Sequence, residues 1–503
     1  MKYEKLTEKL TQYMDAGFPI LYLNTFEEKL AMEILEKAAR NAGRTDLVQW
    51  SLTGGYSRYS LQKREYVVPP SGCSFTKLAE LVDFEEYDRS LFVIRDVSAV
   101  LEDAAAVAYL KELAIRISTD TECSIVLLSP VLKIPKELEN LVTILEMDYL
   151  TEEDIRENIR TFCREQSVTV SQQLLHEMAV GFRGLTDSEI TGILSLALSE
   201  DGELTRKDMA LIFEQKQQKI RKSGILEMVP LKEKLEDIGG LEVLKEWLKR
   251  KAAVMKDLGR AERYGVDAPR GVLIAGVPGC GKSLSAKAAA DLFQVPLLRM
   301  DMGRLLGKYV GESEENMRRA LALAEAVSPC VLWVDEMEKA FSGISGNSGG
   351  AEVTTRLFGN FLTWLQEKKA PVFVVATAND ITRLPPEFLR KGRFDEIYYV
   401  GLPGTAERRR IFEIHVNKRR PGDAGAIDWD RLVKETGGYS GADIESVVRD
   451  SIESAFVAGR ERVTTEDMLV SIRQTHSLSE IMKEPIEQME KIYERNKFKN
   501  ASR

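Results

Sequence analysis

The sequence predicts two α/β domains in tandem, each built on a parallel sheet covered by helices and each followed by a helical segment. Three observations carry this expectation. Short β-rich runs alternate with helix-period stretches in both halves: Pro19–Asn24, Leu91–Ile94 and Ile125–Leu128 first, then Gly271–Ala275, Val331–Val334 and Val372–Ala376. LLSPVLKIPKEL at 127–138 returns 250 positions later as TANDITRLPPEF at 377–388, each an apolar strand, a polar turn and a proline-anchored helix start. GFRGLTDSEI at 181–190 echoes GGYSGADIES at 437–446, which carries the duplication into the helical segments.

In chain order, residues 1–150 read as the first α/β domain and 151–222 as its helical tail. The stretch KQQKIRKSGILEMVP at 216–230 is basic, weakly periodic and ends in proline, which marks a boundary. Residues 223–404 read as the second α/β domain. From about Thr405 the strands stop, and 405–503 reads as a helical subdomain with a terminal helix.

A chain of 503 residues exceeds one core and suggests roughly 2–4 domains. Its 44% hydrophobic and 30% charged content is that of a water-soluble globular protein. A net charge of −9 disfavours bulk nucleic-acid binding, although a local basic patch stays open. Apolar runs such as Cys330–Val334 fall far short of the ~18 residues of a membrane span. The start, MKYEKLTEKLTQYMDAG, lacks the apolar core of a secretory signal. Five widely spaced cysteines and three histidines form neither a metal pattern nor a disulfide framework, which fits a reducing cytoplasm.

The strongest chemical motif is GVPGCGKS, residues 276–283, which fits G-x-x-x-x-G-K-[ST] at every fixed position. It follows the strand-like GVLIA and precedes the helix-like LSAKAAADLF, the context a phosphate loop needs. Gly276, Val277, Pro278, Gly279, Cys280 and Gly281 would wrap backbone N–H groups around phosphate oxygens, with Leu284 in the following helix turn. Lys282 would reach the β/γ-phosphates and Ser283 would ligate Mg²⁺. VLWVDE at 331–336 is a buried strand ending in two carboxylates. Asp335 suits the metal and Glu336 an attacking water, because phosphoryl transfer needs a positioned nucleophile and charge stabilisation. Asn379, at the end of VVATAND, can hold the same water. Arg390 and Arg393 follow in LRKGRFD after a proline-rich turn; isolated arginines are usually solvated, and on their own these two read more readily as surface than as catalytic groups.

Together these residues resemble the AAA family of AAA+ ATPases over about Leu235–Arg462. The resemblance implies further roles. EDIGGLE at 236–242 looks like the family's adenine-contacting segment, which assigns Asp237, Ile238 and Gly239 to the nucleotide. GYSGADIE at 438–445 looks like its second sensor, which adds Gly441 and Ala442, and His415 in IFEIHV sits where the family places a histidine near the nucleoside. Arg390 and Arg393 fall on the paired arginine-finger positions that act on a neighbour's nucleotide, so the resemblance implies a homo-oligomeric ring, typically a hexamer. KYVGESEEN resembles the first pore loop, with Lys308, Tyr309, Val310 and Gly311 facing a threaded polypeptide. Over the whole chain, including FSGISGNSGG and the closing LSEIMKEPIEQME, the sequence is similar to the hypothetical chloroplast-frame AAA proteins of plastids, cyanobacteria and other bacteria.

In that light the first half looks like an ATPase domain with its sheet kept and its chemistry lost. After PILYLN comes TFEEKLAM, without a glycine loop or a Lys-Ser pair, so a phosphate would meet Glu27 and Glu28. Arg95-Asp96-Val97 stands where the acidic pair should be, and the 250-residue register sets Asn140 and Thr143 against Arg390 and Arg393. The expected function is Mg²⁺-dependent ATP hydrolysis in a cytoplasmic or plastid-stroma-like ring that remodels a protein substrate, with the first domain used for docking or assembly. The alternatives are a nucleotide-dependent switch that changes partners without threading, and a motor or loader near nucleic acid.

Overall fold

A computed structural model describes residues 3–25, 27–72, 75, 89–120, 122–130, 132–147, 149–222, 224–305, 312–339, 348–390 and 392–502. The chain divides into two compact units, Met1–Ile212 and Phe213–Arg503. The division falls inside helix Asp208–Lys222, just ahead of the basic stretch that the sequence singles out.

The first unit is a seven-stranded sheet built from β1 (Ile20–Asn24), β2 (Asp46–Ser51), β3 (Gly55–Ser60), β4 (Glu65–Ser71), β5 (Ser90–Ile94), β6 (Ser124–Ser129) and β7 (Val142–Glu146), in the order β4-β3-β2-β5-β6-β1-β7. Strands β2, β5, β6, β1 and β7 run parallel, and β3 and β4 add an antiparallel edge. The second unit contains β8 (Leu226–Val229), β9 (Gly271–Gly276), β10 (Leu297–Met300), β11 (Cys330–Val334), β12 (Val372–Ala378), β13 (Glu396–Val400) and β14 (Lys499–Asn500), in the order β14-β13-β9-β12-β11-β10-β8. Laid side by side, β7-β1-β6-β5-β2 and β13-β9-β12-β11-β10 are the same parallel array, each closed by an antiparallel strand, β3 or β8. The first unit adds β4 beyond that edge; the second adds β14 at the opposite one.

The reason is burial. Central parallel strands carry helices on both faces, so neither face can be polar. In the second unit Leu273, Leu332 and Val374 fill one core while Ile274, Trp333 and Val375 fill the other. In the first, Ile20, Phe92 and Ile125 share one core, and Leu21, Val93 and Val126 the other. Each such side chain, fully buried, contributes about 1.5–3 kcal/mol.

Both helical tails start one of their helices with the same device. Thr186 and Glu189 form a capping box at helix Asp187–Asp201, and Ser440 and Asp443 form one at helix Gly441–Val457. Aligned on the caps, Leu185 matches Tyr439 and Ile190 matches Ile444, all buried.

Two expectations need correction. The strands do not stop at Thr405, because β14 pairs with β13. There, Ala501 N–H donates to Tyr399 O over 2.8 Å, and Ala501 O accepts from Val243 N and Leu244 N at the start of helix Glu242–Lys256. A two-residue polar strand leaves no apolar run to read. The 250-residue register also ends early. It holds through the buried pair Leu138 and Phe388, but pairing with β1 and β9 sets Val142 against Glu396. Thr143 therefore lies inside β7 and Arg393 ahead of β13, because the second unit carries extra residues in the intervening loop. Among the described residues, no helix is long and apolar enough to cross a membrane.

Candidate functional site

Strand β9 is buried at every residue and stops at Gly276. Residues 277–281 then turn over the C-terminal edge of the sheet, and helix Lys282–Phe293 begins at once. A helix start presents unpaired backbone N–H groups and positive dipole, which favours an anion at that edge. Gly279 has φ 73°, and a Cβ there would sit 2.9 Å from the Ala442 Cβ and 3.1 Å from Ser440 Oγ. Only a bare backbone passes so close under the lid.

Lys282 is 7% exposed and turns back to donate to Gly276 O and Val277 O, each over 2.8 Å. Burial pushes its pKa down to about 8, while the carboxylates of Glu338, Asp335 and Glu336 pull the other way. A buried ammonium held only by carbonyls gains strongly from an arriving polyanion.

Opposite it, β11 ends at Val334, which faces Ala376 on β12, so the next pair along is Asp335 and Thr377. Thr377 Oγ1 donates to Asp335 Oδ1 over 2.6 Å and accepts the Glu336 N–H over 3.0 Å. Ser283 Oγ donates to the same Oδ1 at 3.4 Å. Asp335 Oδ2 lies 3.5 Å from Arg299 Nη2, whose guanidinium sits 5.1 Å above the Trp333 ring. The Glu336 carboxylate accepts from Asn379 Nδ2 over 3.3 Å and pairs with Lys339. The Asn379 N–H donates to Glu338 Oε1 over 3.0 Å, and burial pushes the Glu338 carboxyl pKa up.

The remaining wall comes from residues 237–239 and from the C-terminal helices. Ala442 N–H donates to Gly279 O over 3.0 Å. A Cβ on Gly239 would lie 2.4 Å from Ile411 Cγ1, so the glycine lets helix Thr405–Arg419 close down. Asp237, Ile238, Gly239, Cys280, Leu284, His415, Gly441 and Ala442 line a cavity of about 330 Å³. Pro278, Gly279, Gly281, Lys282, Ser283, Asp335, Glu336, Thr377 and Asn379 line it as well. Burial pushes the pKa of His415 down, against the pull of Glu445, which lies 3.8 Å away. Burial also pushes the Cys280 thiol up to about 11.

The two arginine candidates are placed differently. Arg390 is exposed, and Arg393 packs on helix Ser348–Glu367, donating to Leu362 O over 3.4 Å and to Gln366. Neither lines the cavity of its own chain. Lys308, Tyr309, Val310 and Gly311 lie outside the described residues. Sequence reasoning missed Thr377, Glu338 and Arg299. Thr377 was within reach, because it stands two residues before Asn379 and so shares its strand face.

The first unit differs at each corresponding point. Its turn, residues 25–27, is two residues shorter than 277–281, and Glu28 is the first helical residue where the second unit has Lys282. Ile94 pairs with Leu127, so Arg95 stands where Glu336 does. Arg95 Nη1 lies 3.9 Å from Glu28 Oε2, and the Ser188 hydroxyl donates to Glu27.

Residues 272–402 match the family described as ATPase family associated with various cellular activities, and 426–470 match the AAA+ lid domain. Residues 6–147 and 153–223 match the N-terminal and second domains of SpoVK-like AAA ATPases. The uncharacterized AAA domain-containing protein ycf46 of Pyropia yezoensis is 34% identical over 502 residues, covering 99% of both chains. Its namesake from Guillardia theta is 35% identical over 490 residues, 97% of this chain and 95% of that one. The human ATPase family gene 2 protein homolog A is 30% identical over 345 residues, 67% of this chain but 36% of its own. With a two-part AAA module matched in its second half and full-length likeness to the ycf46 proteins, this chain belongs to the AAA ATPase family.

Proposed function

We propose that the second unit hydrolyses ATP with Mg²⁺ and that the chain uses this cycle, as a ring, to remodel a protein. The observation that carries the reading is the convergence of Lys282, Ser283, Asp335, Glu336 and Asn379 on one cavity closed by the lid. The donor set fits a hard cation: Ser283 Oγ and Asp335 Oδ1 are oxygens that already meet across 3.4 Å. When bound there, Mg²⁺ would neutralise charge on the phosphate oxygens. Lys282, freed from its two carbonyls, would hold the β/γ-phosphates, and the N–H groups of 277–283 would cradle them. Glu336 would polarise the attacking water and accept its proton, while Asn379 holds the carboxylate and water in line. Asp237, Ile238, Gly239, His415, Gly441 and Ala442 would together enclose the nucleoside.

Arg390 is exposed and away from its own cavity, a placement that suits a finger acting on a neighbouring subunit, with Arg393 beside it. That geometry supports a ring, in which residues 223–404 are the motor, 405–503 its lid and terminal helix, and 1–150 with 151–222 a docking or assembly module. Mixing Arg390→Ala with Glu336→Gln subunits tests the idea. Partial recovery of ATPase activity is expected, because each subunit supplies what the other lacks; an active protein that stays monomeric defeats it. Tyr309→Ala separates threading from switching: it should spare basal turnover and remove unfolding of a protein substrate. Unchanged unfolding would leave the partner-switch reading in front.

A further inference from the structure

The two acids at the tip of β11 are not held by their own strand. Glu336 has φ 49°, a left-handed backbone that a side chain such as glutamate adopts only when its surroundings hold it. One side chain on the next strand ties that turn to the sheet. Thr377 is 1% exposed, and its hydroxyl uses both its donor and its acceptor capacity: it donates to Asp335 Oδ1 over 2.6 Å and accepts the Glu336 N–H over 3.0 Å. Ser283 reaches the same Asp335 oxygen from the phosphate-loop helix. The partner of Thr377 in the first unit, 250 positions earlier, is Leu127, which has no hydroxyl, and there the acidic pair is also gone.

We propose that Thr377 is a positioning residue for nucleotide hydrolysis: its single hydroxyl fixes the cation-facing carboxylate of Asp335 and the backbone turn that aims Glu336. The inference rests on the reading of the cavity as an Mg²⁺–ATP site. Thr377 borders the cavity, but its hydroxyl is turned to Asp335 and to the Glu336 N–H. It acts through Asp335, in the manner of residues that orient a metal ligand from behind, whose loss weakens metal binding or activity by roughly 10–100-fold. A valine keeps the shape and strand preference of threonine and removes only the hydroxyl.

The test compares wild type, Thr377→Val and Thr377→Ser in the full chain, by titrating a non-hydrolysable ATP analogue with and without Mg²⁺ and by following amide exchange at Glu336. In Thr377→Val, binding without Mg²⁺ should stay within about twofold, the tightening by Mg²⁺ should fall roughly 10-fold, and the Glu336 amide should exchange faster. Thr377→Ser should restore all three. Wild-type Mg²⁺ dependence together with wild-type exchange in Thr377→Val would overturn the inference. If wild type itself binds no nucleotide, the hydrolase reading falls, and the exchange rate at Glu336 alone decides the positioning role. Unchanged exchange there overturns it, and faster exchange rescued by serine upholds it.

Discussion

Between β9 and its helix lie residues 277–281; between β1 and its helix lie only 25–27. The two sheets behind these turns share the order and direction of their five parallel strands and bury both faces of the central ones, yet the edges they present differ in sign. In the second unit a cation, Lys282, faces the acids Asp335 and Glu336. In the first an acid, Glu28, faces a cation, Arg95. Glu27, at the turn, takes a hydroxyl from Ser188, at the very position where Ala442 of the second unit donates to the Gly279 carbonyl. The difference separates two kinds of constraint. A sheet interior tolerates many apolar sequences as long as volume and alternation are kept. A phosphate cradle tolerates none that shorten its loop or reverse its charge, because backbone N–H groups must surround the anion.

The largest expected effect is loss of chemistry in the second unit alone. Lys282→Ala should abolish nucleotide binding, and Glu336→Gln should keep binding while turnover falls on the order of 10²–10⁴-fold. Single-turnover hydrolysis and equilibrium binding check both; normal turnover in Glu336→Gln breaks the contrast. Next, saturation binding by the full chain should reach one nucleotide per chain. The reversal Glu28→Lys with Arg95→Glu should not add a second, since it mends the charge but not the short turn. A stoichiometry of two in that variant would show that charge, not loop length, silenced the first unit.

A smaller effect concerns pH. In the ligand-free fold Lys282 titrates near 8 rather than at its ordinary 10.5 because it is buried. Between those values the folded protein holds fewer protons than the unfolded one, so this residue's burial cost is present below pH 8 and relieved as pH rises toward 10.5. Binding a polyanion restores the charged form. Near pH 9 nucleotide binding should therefore take up a proton, with affinity falling by up to about tenfold per pH unit. Calorimetry in two buffers of different ionisation enthalpy measures the uptake; none at pH 9 would contradict the buried-lysine account.

The smallest effect probes what the two units share. Thr186→Ala and Ser440→Ala should each destabilise their own helix by about 1 kcal/mol, since each removes a capping side chain. Denaturant midpoints for the transition of each unit should fall by comparable amounts. Only Ser440→Ala should also weaken nucleotide binding, because the helix it caps places Ala442 against Gly279. Equal effects on binding from both would erase the distinction between lid and relic.

Much of this molecule was legible in its sequence, for a reason visible in particular residues. The phosphate loop is contiguous, so GVPGCGKS shows both its glycines and its lysine in one line. The buried strands β1, β5, β6, β9, β11 and β12 read as apolar runs because both faces are covered. The edge strands did not. All of β4 but Val68 is exposed, and β14 is two polar residues long, so neither carries a burial pattern. The register of Arg390 and Arg393 against the first half was misread because loop residues added after Phe388 leave no trace in periodicity.

What the sequence by itself determined is local: a strand, a glycine turn and a helix start in that order, and an acidic pair at a strand end. Those follow from backbone preferences within a few residues. Only the tertiary structure decided that Thr377 lies beside Asp335, that Ala442 closes on Gly279, and that Arg390 does not line its own cavity. Each depends on pairing or packing between segments far apart in the chain, where the register is set by the burial of whole strands and helices and not by the residues that meet.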